Sequence, residues 1–230
     1  MFAKSIKIVS KSMFPIFKEE KISEKEIRIG VAGTGFFINS SGLFATVAHI
    51  FDGTNGNTRF LFFGCLPDNL VTPPLEISEV VKNDEKDIFI GKINKKGVKA
   101  LKISRKDQLI GRSVCVSGYP FALITKNNQG GLELGGVRRY FQPSFILDKW
   151  NINANSSNGK TRVHSGYLVR DVSLFGMSGG PVFNKKGKVI GVQGSVTSPR
   201  TSSNGARAIA VENAMVISSK IIIDTLKKVK

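Results

Sequence analysis

The chain has 230 residues, 34 of them Lys or Arg against 17 Asp or Glu, which gives a formal net charge of +17 at pH 7. That length suffices to bury one large core or two smaller ones, and 41% hydrophobic against 22% charged residues is too apolar for a disordered basic tail. No run of 18 apolar residues occurs, which excludes a membrane-spanning helix, and two cysteines cannot supply a disulfide framework. Residues 1–26 read as an N-terminal arm. Lys4, Lys7 and Lys11 break any apolar stretch of the kind a secretory leader needs, and Pro15, Lys18, Glu19 and Glu20 follow. With so few cysteines, the expected compartment is a reducing cytoplasm.

From Val31 onward, short apolar runs alternate with Gly, Asn, Pro and Lys. Gly35-Phe36-Phe37-Ile38, then Asn39-Ser40-Ser41-Gly42, then Leu43–Val47 predict strand, turn and strand. Further strands are expected at Arg59–Phe63, Leu75–Val81, Asp87–Ile93, Ser113–Gly118, Tyr167–Val172, Pro181–Phe183, Val189–Val192 and Ala208–Val211. The Lys-rich segment Lys92–Lys106 reads as a connection between two halves, and Asn151–Thr161 as a long loop. At the end, Met215, Ile222, Leu226 and Val229 share one face of a helix expected over residues 213–230. The pattern is that of an all-β chain, a sandwich or barrels, with one C-terminal α-helix.

The residues that carry chemistry are few. Gly176-Met177-Ser178-Gly179-Gly180-Pro181 sets a serine among glycines, where a tight turn can free the hydroxyl and aim backbone N–H groups at a developing oxyanion. In isolation such a segment is more often a plain turn between strands. A serine nucleophile also needs a base, and a carboxylate to fix the base's tautomer. His49 follows an expected strand directly, and Asp87 opens the apolar run Asp87-Ile88-Phe89-Ile90. Asp52, in the polar stretch Asp52-Gly53-Thr54, reads as a turn former, and Asp84 as part of an exposed loop. His164 reads as structural, Cys65 and Cys115 as buried thiols, and this scatter of Cys and His makes no zinc site.

Taken together these segments resemble the chymotrypsin-like serine proteases, and most closely the bacterial trypsin-like and HtrA-type peptidases. The resemblance rests on Gly33-Thr34-Gly35-Phe36-Phe37-Ile38 with Ala45-Thr46-Val47-Ala48-His49, on Asp87-Ile88-Phe89-Ile90, on Gly118-Tyr119-Pro120, and on Gly176–Val182 with Gly187–Val192. It covers roughly residues 30–230 and keeps the family's order of His, Asp and Ser. It implies two six-stranded antiparallel Greek-key β-barrels, a first over about residues 27–100 and a second over about 108–212, both within a peptidase domain over 27–230. It also implies peptide hydrolysis by His49, Asp87 and Ser178, an oxyanion hole from the Gly176 and Ser178 amides, and no cofactor or metal. Met177 departs from the family: digestive members carry there an aspartate that captures a new N-terminus.

By position, the primary specificity pocket is expected with Val172 at its floor, which offers no carboxylate although Asp171 lies next door, and with Ser173, Gln193 and Arg207 making it polar. The expected partners are a protein or peptide substrate, and an acidic partner or regulatory protein drawn by the positive charge. Three rival functions share these residues: an esterase, a catalytically silent module that binds an acidic partner, and a nucleic-acid binder. The last rests on charge alone, since the lysines are dispersed and lack interleaved aromatics.

Overall fold

The computed structural model describes residues 1–24, 27–54, 56–126, 132–155, 161–171, 173–197 and 213–228. In chain order the elements are α1 (Ala3–Val9), β1 (Met13–Lys21), β2 (Ile27–Phe37), β3 (Leu43–Thr46), a 3-10 turn (His49–Phe51), β4 (Thr58–Phe62), β5 (Leu75–Asn83) and β6 (Ile88–Ile93). There follow β7 (Ser113–Gly118), β8 (Leu123–Lys126), β9 (Leu132–Gly135), β10 (Tyr140–Asn155), β11 (Thr161–Val169), β12 (Pro181–Phe183), β13 (Val189–Thr197), β14 (Asn213–Ser218) and α2 (Ser219–Leu226).

Phenylalanine builds the first barrel. Large rings favour pleated, half-buried backbone and bring a large apolar surface each. Phe14, Phe37, Phe44, Phe62 and Phe89 are all 2% exposed or less, and Phe14 packs on Phe37 at 4.8 Å and on Phe62 at 4.9 Å between ring centroids. The strands follow the order β1-β4-β5-β6-β3-β2, and β1 pairs with β2 to close the cylinder. The β8–β9 hairpin attaches to β2 through Gly30 and Leu123.

The second barrel is closed in the order β10-β11-β14-β13-β12-β7 and has an aliphatic core, with Val114, Val116, Ile146, Val169, Val182 and Ile190 buried. Both six-stranded barrels and the C-terminal helix agree with the expected fold. A third apolar cluster fuses the two barrels. In it Phe2, at the start of α1, meets Phe183 edge-on, and Phe17, Phe36, Ile217 and Ile222 lie together. The connection after β6 is strapped to both sides, since Leu101 N–H donates to Phe37 O and Ser104 N–H to Val189 O.

Several boundaries differ from the sequence-based ones. The arm expected over residues 1–26 supplies β1, which pairs with both β2 and β4 and buries Met13, Phe14, Ile16 and Phe17 completely. Pro15, which has no N–H to give to a ladder, is accommodated because pairing with β4 begins at Ile16 and the register with β2 shifts just after Ile16. The first barrel therefore begins at Met13. At the other end, Asn213–Ser218 is strand and the helix starts only at Ser219, where the Ser218 side chain accepts a hydrogen bond from Lys220 N–H. Ala214, Met215, Val216 and Ile217 are all buried, and a run apolar on both faces carries no period that separates strand from helix. Of the loop expected over Asn151–Thr161, Asn151–Asn155 is the end of β10 and Thr161 the start of β11, while residues 156–160 lie outside the described residues. The strand expected at Ala208–Val211 lies outside the described residues.

Candidate active site

His49 stands where β3 gives way to a single 3-10 turn, and that turn is anchored by an aromatic stack. Phe51 lies parallel to Phe89 at 3.9 Å. Phe89 is two residues beyond Asp87, so one ring pair ties the segment that carries the imidazole to the strand that carries the carboxylate. Asp87 itself is 1% exposed and takes a positive φ of 52°, a left-handed conformation that Asp tolerates better than most residues. Its two oxygens clamp one residue: Oδ1 accepts from the His49 backbone N–H at 2.9 Å, and Oδ2 lies 2.8 Å from His49 Nδ1. A carboxylate on Nδ1 selects the tautomer with the proton there and leaves Nε2 free to accept one.

The serine turn is built differently, by close backbone approach. Gly179 has φ +84°, and a Cβ there would fall 1.9 Å from Thr46 Oγ1 and 2.3 Å from Thr34 O. A Cβ on Gly180 would meet Ser117 O at 1.9 Å, one on Gly118 would meet Met177 Cα at 2.7 Å, and one on Gly33 would meet Ser178 O at 2.7 Å. The turn is thus pressed between β2 and β3 of the first barrel and the end of β7 in the second. Hydrogen bonds fix it there: Thr34 N–H donates to Ser178 O, Gly179 N–H to Gln193 O, and Gln193 N–H to Gly180 O. Thr34 Oγ1 accepts from Tyr119 N–H at 3.0 Å and donates to Gly176 O at 2.7 Å, which pins the peptide after Gly176. Among the described residues, neither the Gly176 nor the Ser178 amide donates a hydrogen bond within the chain. Ser178 Oγ donates to Gly194 O at 3.4 Å, and no hydrogen bond joins it to His49.

A charged latch from the second barrel reaches the same place. Arg162 on β11 is 6% exposed; it pairs with Asp52 and brings Nε to 3.8 Å from Asp87 Oδ1. Lys82 donates to the other oxygen of Asp52 at 3.1 Å. Burial pulls the Asp52 carboxyl up, but the hydrogen bonds from Lys82 and Arg162 outweigh it and hold the group below its ordinary value. Asp52 was read as a turn former; it is the anchor of this latch, and nothing in its local sequence signals a partner 110 residues away. Thr34 was equally silent, since its role depends on Gly176 across the barrel interface.

Of the expected pocket residues, Val172 and Arg207 lie outside the described residues, as does the His164 side chain. Ser173 is half-buried. Gln193 is fully buried, with Nε2 donating to Ser195 O and Oε1 lacking a partner among the described residues. Met177 is buried in the core of the second barrel. Burial pushes the Cys65 thiol up to about 11 and the Cys115 thiol up to about 12, so neither is a ready thiolate. Among the described residues no group of three His, Cys, Asp or Glu could hold a metal ion.

Comparison with known proteins places these features in context. The family model of the trypsin-like peptidase domain matches residues 33–192, a span that includes His49, Asp87 and Ser178. A curated relative, a probable periplasmic serine endoprotease of DegP-like type from Rhizobium meliloti (strain 1021), is 26% identical over 209 residues. That match covers 89% of this chain but only 35% of the relative, so the chain spans about a third of its length. Among solved structures, the active form of the Rv3671c protease from M. tuberculosis aligns with TM-score 0.68 at 21% identity, covering 98% of this chain and 83% of that one. The HtrA-type protease AlgW, solved with a tripeptide, aligns with TM-score 0.69 at 16% identity, covering 99% of this chain and 63% of that one. At such identities these structures establish the shared fold.

Proposed function

The chain belongs to the family of trypsin-like peptidase domains, and on that premise we propose that it is a serine endopeptidase acting through Ser178, His49 and Asp87. The observation that carries the reading is the double clamp of Asp87 on His49 beside a serine turn fixed from both barrels. The reaction requires Ser178 Oγ to leave the Gly194 carbonyl for His49 Nε2, a tightening common when a substrate enters such a site. His49 then takes the hydroxyl proton as Oγ attacks the peptide carbonyl, and the amides of Gly176 and Ser178 receive the oxyanion. His49 returns the proton to the leaving amine, and the same residue activates the water that releases the acyl group. Asp87 holds the imidazole in place and stabilises the transient imidazolium.

Ser173 and Gln193, with Val172 and Arg207, are proposed as a polar lining for the residue preceding the cut. A peptide library should show a preference for polar or acidic side chains there; a clean Lys or Arg preference would refute this lining. The direct test of the reaction is a fluorophosphonate probe with a casein assay. Wild type is expected to be labelled and to cleave, and Ser178→Ala to do neither. Equal labelling of both proteins would remove Ser178 from the mechanism. A second reading, a silent module that holds an acidic partner, is favoured by one observation, the Ser178 hydroxyl turned toward Gly194. It predicts no labelling of wild type even in the presence of peptide. The proposed compartment, a reducing cytoplasm, draws on the two unbridged cysteines, and cell fractionation tests it.

A further inference from the structure

The end of the second barrel farthest from Ser178 carries a feature that peptide hydrolysis does not use. A groove of about 790 Å³ runs between the 103–113 connection and the β12–β13 turn. Six of its lining residues are cations: Arg105, Lys106, Arg112, Lys185, Lys186 and Lys188. All six are exposed, and among the described residues none pairs with a carboxylate. The single acid in the groove, Asp107, is already engaged by Lys149 at 2.6 Å and by the Tyr167 hydroxyl at 2.6 Å.

Beside these charges the chain exposes aliphatic side chains. Leu109 and Ile110, at the tip of the turn that walls the groove, are 66% and 58% exposed. The turn is held rigidly, because Gly111 N–H donates to Ile146 O and Ile146 N–H to Arg112 O. Those bonds set it against β10, where Phe145 and Leu147 on either side of Ile146 are also exposed. Beyond the β12–β13 turn, α1 adds Lys4, Lys7 and the half-exposed Ile8, whose atoms lie 3.6 Å from where a Gly187 Cβ would stand.

We propose that this face docks on the surface of an anionic lipid bilayer, with Leu109 and Ile110 entering the headgroup boundary and the surrounding lysines and arginines lying on the phosphates. Apolar tips ringed by cations suit that surface, where each cation near it strengthens association by about fivefold. A nucleic acid would use the same cations but would leave an aliphatic tip without a role, since bases stack on aromatic rings. A second copy of the chain would bring another +17 of charge to the face. β7 leads from the groove at Ser113 to Gly118, which packs against the serine turn at Met177, roughly 17 Å away. The inference depends on the fold and not on the proteolytic reading.

Sedimentation of the full chain with vesicles tests it. The chain should bind phosphatidylcholine vesicles containing phosphatidylglycerol, and not phosphatidylcholine alone, with affinity falling steeply as salt rises. The double variant Leu109→Ser/Ile110→Ser should lose about tenfold in vesicle affinity, with an unchanged circular dichroism spectrum and unchanged retention of a single-stranded RNA oligonucleotide. Lys185→Glu/Lys186→Glu should lose at least as much on vesicles. Equal binding to neutral vesicles, or vesicle affinity indifferent to the tip variant, would overturn the proposal. So would RNA binding tighter than vesicle binding at the same ionic strength, and the face would then be read as a nucleic-acid site.

Discussion

In the first barrel the proposed reactive groups are held by side chains; in the second the proposed nucleophile is held mainly by backbone. Asp87 grips His49 with two hydrogen bonds, and the Phe51–Phe89 stack holds their two segments together. The serine turn is held mainly through backbone, with the Thr34 hydroxyl, donating to Gly176 O, as its side-chain tie. Its shape comes from Gly176, which lies against Tyr119 O, and from Gly179 and Gly180, which let it press against Thr34, Thr46 and Ser117. The difference means that chemistry and folding should separate in the first barrel and coincide in the second. Asp87→Asn is the sharpest test of the first half. An amide has one acceptor oxygen where the carboxylate has two, so an Asn that keeps the His49 N–H bond turns its NH2 on Nδ1, holds the wrong tautomer and leaves an imidazolium unstabilised; kcat/KM should fall by about 10⁴ while the thermal midpoint moves little. A large loss of stability in that variant would show that Asp87 is as much a part of the scaffold as the glycines.

The matching test of the second half is Gly179→Ala. Its Cβ would be driven into Thr46 Oγ1 and the Thr34 carbonyl, at a φ that L side chains rarely adopt. We expect a loss of more than about 3 kcal/mol in urea unfolding, accompanied by loss of probe labelling. If Gly179→Ala kept its stability and lost only activity, the turn would be a local device and not a seam between the barrels.

The same contrast explains what could be read from the sequence. Strands with a clean apolar pattern and glycine punctuation were legible, as were the His49–Asp87 pair and the glycine-flanked turn at Ser178, because each sits in a local segment with a distinctive neighbourhood. β1 was not legible: its buried half, Met13–Phe17, contains a proline and runs into the charged Lys18-Glu19-Glu20. β14 was not legible either, because a run buried on both faces has no period. Thr34, Asp52 and Arg162 escaped for a different reason. Their roles exist only after the two barrels meet, through partners 142, 110 and 75 residues away in sequence. Thr34 is the most informative of these. Thr34→Val removes the hydroxyl that holds Gly176 O and leaves the Tyr119 N–H without its acceptor. Losing a buried hydrogen bond of this kind costs about 1–3 kcal/mol. If the cost falls on the oxyanion turn, kcat should drop about tenfold with KM unchanged, and Thr34→Ser should restore it. A rise in KM with kcat preserved would place Thr34 in substrate binding instead.

The smallest expected effect tests where the two halves are joined by charge. Arg162 comes from the second barrel, Asp52 and Lys82 from the first, and the latch they form reaches toward Asp87 Oδ1. Against the pull of burial, Lys82 and Arg162 hold the Asp52 carboxyl below its ordinary value. A carboxyl depressed on folding contributes stability that is fully present above its unfolded pKa, about 3.9, and is lost as pH falls through the folded one. Wild type should therefore be more stable than Asp52→Asn at neutral pH, with the gap closing below about pH 4 as Asp52 takes up its proton. Urea midpoints measured across that range report the gap directly. A gap that stays constant down to the lowest pH would mean that Asp52 joins the barrels by packing, and that the charge of Arg162 acts on Asp87 alone.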